Sequence, residues 1–251
     1  MFARKKIEKP WDGRIDPVRI LDGVYFVGTF QASTHIIDTG DGLILIDPGY
    51  SNALYLVVDS IYKAGYKPED IKYIVNTHWH GDHTEATEAL AAISGAKTLI
   101  GKEDYEAAKR YFTADIKISD GDTLCLGNTR MVFMETPGHT KGTVSFFFDR
   151  VDGGVSYRVG MFGGAGANTL ARGKFDFDGC REAYRESVER LMKERVDVFI
   201  GNHTWNNDTF GKAALVGKSA VNPFVDGALW GKFLEFCIAR LDSLIKKESE
   251  E

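Results

Sequence analysis

The chain has 251 residues, 43% of them hydrophobic and 27% charged, with a formal net charge of −5 at pH 7. That composition gives ample core material for a single α/β domain over residues 1–251, and no linker or low-complexity tract divides it. The negative balance and the lack of a basic tract exclude a nucleic-acid partner, whose phosphates demand clustered Lys and Arg.

Residues 1–19 read as an N-terminal extension. Arg4, Lys5 and Lys6 are followed by Ile7-Glu8-Lys9-Pro10 rather than by an apolar run, which fits neither a signal peptide nor a membrane anchor. The expectation is a cytoplasmic chain without a membrane partner. Cys125, Cys180 and Cys237 are odd in number and widely spaced, as expected of reduced thiols.

Strand-like apolar runs then come in two sets. Residues 24–47 and 71–100 form the first, and 129–148, 157–162 and 196–200 form the second. They predict two sheets packed face to face, with helices on the outside. Helices with an apolar stripe and charged neighbours are expected at 52–64, 84–93, 103–111 and 179–195. The last predicted helix, 223–247, places Trp230, Phe233, Leu234, Cys237, Leu241 and Ile245 three and four residues apart. This face suits packing, and it also suits a homodimer. His35 sits inside a strand without ligand-like spacing and reads as a packing histidine.

One segment speaks directly of metal. Thr77-His78-Trp79-His80-Gly81-Asp82-His83 holds three of the six histidines of the chain, together with a carboxylate. Neutral imidazole and carboxylate are the groups that zinc and similar divalent ions bind. The segment lies between a predicted strand, 71–75, and the helix at 84–93, so the candidate ligands sit on a strand-to-helix loop. Open α/β sheets present functional groups at such strand ends. Two further histidines repeat the arrangement. His139 follows a strand through Thr136-Pro137-Gly138, and His203 follows another through Gly201-Asn202. Gly138 and Gly201 allow tight turns that aim each imidazole.

His78-x-His80-x-Asp82-His83, then His139 within Pro-Gly-His-Thr, then His203, resembles the metallo-β-lactamase superfamily over nearly the whole chain. Leu43-Ile44-Leu45-Ile46-Asp47-Pro48-Gly49 belongs to the same resemblance. It implies an αββα sandwich of two mixed sheets. It implies one zinc ion on His78, His80 and His139, and a second on Asp82, His83 and His203. Asp47 would orient a ligand from behind. Iron and manganese suit the same donors. The reaction implied is hydrolysis of a small-molecule substrate, with a zinc-bound hydroxide attacking a carbonyl and Asp82 orienting it as the catalytic carboxylate.

Many relatives bridge the metals with a late Asp or Cys, and this chain has neither in the stretch 157–168. The pattern resembles the lactamase subclass whose ligands are His and one Asp. Gly163-Gly164-Ala165-Gly166 lacks the Lys-Ser/Thr of a nucleotide loop and reads as close backbone approach to the site. The stretch between His83 and His139 is short for a β-lactam-hydrolysing relative. The substrate classes left are a cyclic amide of the β-lactam kind, a lactone or a thioester. Trp79, Phe162, Asn168 and Trp205 are the candidates for lining the pocket, with Asn206 and Asn207 as further donors. Two other readings are an iron oxidoreductase of the same fold, which would carry Glu at position 80, and a catalytically idle metal-binding protein, which should have lost ligands.

Overall fold

In the computed structural model, residues 9–250 are described; the basic set Arg4, Lys5 and Lys6 lies outside them. The first sheet contains β1 (Val18–Leu21), β2 (Val24–Phe26), β3 (His35–Asp38), β4 (Leu43–Ile46), β5 (Ile71–Asn76), β6 (Lys97–Gly101) and β7 (Ile116–Ile118), side by side in chain order. Pairing is antiparallel from β1 to β4 and parallel from β4 to β7. The second sheet contains β8 (Thr123–Leu126), β9 (Thr129–Glu135), β10 (Val144–Asp152), β11 (Val155–Met161) and β12 (Val198–Phe199). Its order is β12-β11-β10-β9-β8, antiparallel except for β11 with β12.

Strand alternation builds three layers of core from these runs. Ile44 and Ile46 face Phe146 and Phe148 across the middle of the sandwich. Leu43 and Leu45 point the other way, under α1 (Leu54–Lys63) and, after the short α2 (Gly81–Thr84), under α3 (Thr87–Ser94). Phe147 points outward from the second sheet. It lies beneath α5 (Cys180–Leu191), which follows the short α4 (Tyr105–Ala108), and beneath α7 (Leu229–Ser249), which follows the short α6 (Thr209–Ala213). Burial on both faces explains why β4 reads as an unbroken apolar run. The architecture is the αββα sandwich of mixed sheets that the sequence implied.

Several boundaries differ. The expected extension 1–19 runs into β1, where Val18 and Arg19 pair with Phe26 and Tyr25. β7 and β8 escaped the pattern because runs of three and four residues carry little periodicity. The helix expected at 84–93 is two pieces. The first begins at Gly81, because the His80 carbonyl already accepts from the Thr84 N–H, so Asp82 and His83 lie on a helical turn and not on a loop. The helix expected at 223–247 starts at Leu229 instead. The Asn222 and Asp226 side chains accept from the backbone N–H groups of Phe224 and Ala228, which holds residues 222–228 in turns. Among the described residues, no helix is long and apolar enough to cross a membrane.

Candidate metal centre

The strand ends gather the histidines. β5 delivers His78 and His80, α2 delivers Asp82 and His83, the turn after β9 delivers His139, and the turn after β12 delivers His203. His78, His80 and His139 form one group, and His78, Asp82 and His83 a second, each with its ligand atoms within 4.8 Å of one another. The His80 Nδ1 and His139 Nε2 atoms are 2.9 Å apart. His203 stands at the rim of the second group, its Nε2 3.8 Å from Asp82 Oδ2 and its ring 5.0 Å from that of His83.

The outer nitrogens of four of these rings have partners of their own. His83 Nδ1 donates to Asp47 Oδ2 at 2.8 Å, His139 Nδ1 to the Gly166 carbonyl at 2.8 Å and His203 Nδ1 to the Gln31 carbonyl at 2.6 Å. His78 Nδ1 lies 3.0 Å from Thr77 Oγ1, whose own proton goes to Asp47 Oδ2, so this nitrogen is the donor there too. Each of the four rings therefore turns its Nε2 inward, and His80 presents Nδ1 instead. Such outer partners fix tautomer and ring orientation at metal sites. Asp47 accepts from Thr77 N as well, at 2.7 Å, and holds a φ of +50° that Asp tolerates better than most residues.

These residues fit a divalent cation. The Nε2 atoms of His78 and His83 are buried without a hydrogen-bond partner, an arrangement that costs about 1–3 kcal/mol per group unless something binds it. Burial and the surrounding imidazoles push His78 well below its usual pKa, and burial with His80 brings His139 to about 3, so both are neutral and ligand-ready. Burial opposes the cation of His83 too. There the Asp82 and Asp47 carboxylates win and raise it to about 9, so this corner of the site attracts positive charge. Burial works against the Asp82 carboxylate, yet the four histidines around it hold its pKa below the usual range.

Glycines let the backbone come close. A Cβ on Gly166 would meet His139 Cε1 at 3.1 Å, and one on Gly164 would meet His139 Cβ at 2.9 Å. A Cβ on Gly138 would sit 2.5 Å from that of Tyr184.

The site opens into a cleft of about 700 Å³. Trp205, stacked on His203 at 4.4 Å, lines it together with Asn168, Asn206 and Asn207. Asn207 spends its amide on the Phe199 carbonyl and the Thr209 hydroxyl, and Asn206 donates to Asn202, which leaves Asn168 as the uncommitted donor. Two expected pocket residues lie elsewhere. Phe162 is fully buried in the core with its ring 5.7 Å from that of Tyr184. Trp79 lies in the bend between His78 and His80, its ring edge-on to that of His80 at 4.5 Å, but it does not line the cleft. It packs against Ile100, Ala108 and Phe112 under the Arg110 guanidinium, and its indole donates to Asp176. His35 is a packing residue, edge-on to Phe26 with both ring nitrogens unpartnered.

Sequence reasoning missed Asp104. It is 1% exposed and accepts from Trp79 N at 3.0 Å, Thr140 Oγ1 at 2.7 Å and Gly142 N at 2.6 Å, which ties the His78–His83 segment to the His139 turn. Its neighbours Lys102 and Glu103 make it look like an ordinary helix-start carboxylate. The cleft-facing side of α7 was missed as well.

The family model for the metallo-β-lactamase superfamily matches residues 27–156. The chain belongs to this superfamily. Among solved structures of the family, a subclass B3 metallo-β-lactamase of Bradyrhizobium japonicum superposes with a TM-score of 0.90 at 27% identity, over 96% of this chain and 98% of that one. The metallo-β-lactamase of Legionella gormanii gives 0.89 at 28% identity, over 95% and 98%. Among curated relatives, a hydroxyacylglutathione hydrolase of Methylococcus capsulatus is 26% identical over 72% of this chain and 65% of its own length. An N-acyl homoserine lactonase of Bacillus cereus is 28% identical over 58% and 61%. The chain thus spans less than two thirds of the length of these curated relatives.

Proposed function

We propose that the chain is a hydrolase that holds two zinc ions and cleaves an acyl bond of a small molecule: a lactone, a thioester or a cyclic amide. One observation carries this reading: five inward nitrogen donors and the Asp82 carboxylate converge at the floor of a cleft large enough for a small substrate. His78, His80 and His139 would hold one ion, and Asp82, His83 and His203 the other. Ions bound there would supply a water that deprotonates near neutral pH and would polarise the scissile carbonyl.

The remaining work falls to the protein. Asp82 stands between the two groups with its Oδ2 3.5 Å from His83 Nε2, where a carboxylate oxygen can orient a water and accept its proton. Asp47 and the Gly166 carbonyl keep the imidazoles from rotating. Relatives named for an acylglutathione, an acyl homoserine lactone and β-lactams all act on an acyl carbonyl, which supports the reaction class.

Metal content measured by mass spectrometry should show two zinc ions per chain. A panel of a chromogenic cephalosporin, an acyl homoserine lactone and an acyl thioester, each with and without chelator, tests the reaction. Zinc bound without turnover of any of the three would overturn the substrate classes. Full activity and two tightly held ions in His203→Ala would overturn the assignment of the second ion.

A further inference from the structure

α7 runs for 21 residues along the outer face of the second sheet, with Trp230, Leu234 and Leu241 buried against it. A second stripe of the same helix faces the cleft: Leu229, Lys232, Phe233, Phe236, Cys237 and Arg240, again spaced three and four apart. His80, Asp82 and His139 line the same cleft. Lys232 and Arg240 lie two turns apart, about 12 Å along the axis, with Phe233 and Phe236 between them.

Two features of this stripe bear on a ligand in the cleft. Among the described residues, Arg181, Arg185 and Arg190 all have carboxylate partners, whereas neither Lys232 nor Arg240 forms an ion pair. Both cations line the cleft, so their charge acts on whatever occupies it. Phe236 is a large aromatic left 36% exposed beside them. Of the two carboxylates on the same cleft, Asp82 belongs to the metal centre and Asp208 accepts from Gly211 N at the start of α6.

We propose that α7 selects the substrate: an acyl compound whose apolar chain lies over Phe233 and Phe236 and whose far end carries a carboxylate attracted by the flanking cations, Lys232 and Arg240. This rests on the hydrolase reading above. Guanidinium and ammonium groups recognise carboxylates, with Arg offering a two-pronged contact, and the aromatic pair supplies apolar contact between anchor and reacting carbonyl.

The test compares two thioesters of one chromogenic thiol with the metal-loaded full chain: an adipoyl monothioester with a free carboxylate, and its methyl ester. The carboxylate form should show kcat/KM about ten-fold higher, expressed in KM and weakened by salt. In the double variant Lys232→Gln/Arg240→Gln the ratio of the two values should fall to near one, and in Lys232→Glu/Arg240→Glu it should invert. Equal rates in the wild type, or a preference that survives both double variants, would overturn the proposal. Hydrolysis of neither thioester bears on the reaction class instead. Calorimetric titration with adipate then decides the anchor: affinity weakened about ten-fold in the Gln variant supports it, and unchanged affinity refutes it.

Discussion

The Asp47 carboxylate accepts a 2.8 Å hydrogen bond from His83 Nδ1 and so turns the other ring nitrogen of His83, buried and otherwise without a hydrogen-bond partner, into the centre of the site. The same carboxylate takes the Thr77 hydroxyl proton, and Thr77 Oγ1 in turn receives Nδ1 of His78. One buried acid thus sets the tautomer of two candidate ligands. Asp47→Ala should weaken retention of the more loosely held ion about 10–100-fold, measured by competition with a chromophoric chelator. Asp47→Asn keeps an acceptor oxygen and the tolerance for a positive φ, and should lose less. Equal metal retention in wild type and both variants would remove Asp47 from this role.

Asp104 makes a different demand. Three donors converge on it from two segments that carry ligands, and burial raises its pKa to about 7 even though those donors favour the anion. Asp104→Ala strands buried donors and should cost about 3 kcal/mol of stability in urea unfolding, with partial recovery in Asp104→Asn. Metal retention should fall in parallel, because His80 and His139 lose their common tie. A variant of wild-type stability would show that the three hydrogen bonds are dispensable.

Acid sensitivity should trace in part to His35. Burial drives its pKa down to about 3, against an ordinary value of 6.5. Above pH 6.5 neither the folded nor the unfolded chain binds this proton. As pH falls from 6.5 toward 3, the unfolded chain takes it up and the folded chain does not, so stability declines through that window. His35→Leu should remove about 2 kcal/mol of the decline between pH 7 and pH 5, read from urea midpoints of the two proteins. Parallel curves for wild type and variant would dismiss the role.

Removal of metal should loosen the sandwich as well as the site. The candidate ligands come from both sheets, His78 and His80 from the end of β5, His139 and His203 from turns after β9 and β12. An ion held at a thousand times its dissociation constant stabilises the folded state by about 4 kcal/mol. Chelator should therefore lower the thermal midpoint by several degrees, and zinc should restore it. A midpoint indifferent to chelator would mean that no ion is bound there under those conditions.

The contrast between what the sequence disclosed and what it hid follows from distance along the chain. His78, His80, Asp82 and His83 are legible because the donors lie within one segment, and His139 and His203 because each follows an apolar strand and a glycine. The two sets of apolar runs were enough to foresee two sheets. Asp104 was hidden because its partners stand 25 to 38 positions away. Trp79 and Phe162 were misplaced because nearness in sequence to a ligand says nothing about which side of the backbone a ring occupies. The face of α7 suited packing or a homodimer and not the cleft, since periodicity marks an apolar face without saying what lies opposite.

α7 divides its labour by position. Phe233 and Cys237 touch both the core and the cleft, so they are held by two constraints at once, while Lys232, Phe236 and Arg240 are exposed positions on the cleft. Those three positions are free to vary without disturbing either the histidine constellation or the sandwich. If α7 selects the substrate, substitutions in this one exposed stripe change substrate range and leave the histidine constellation as it is.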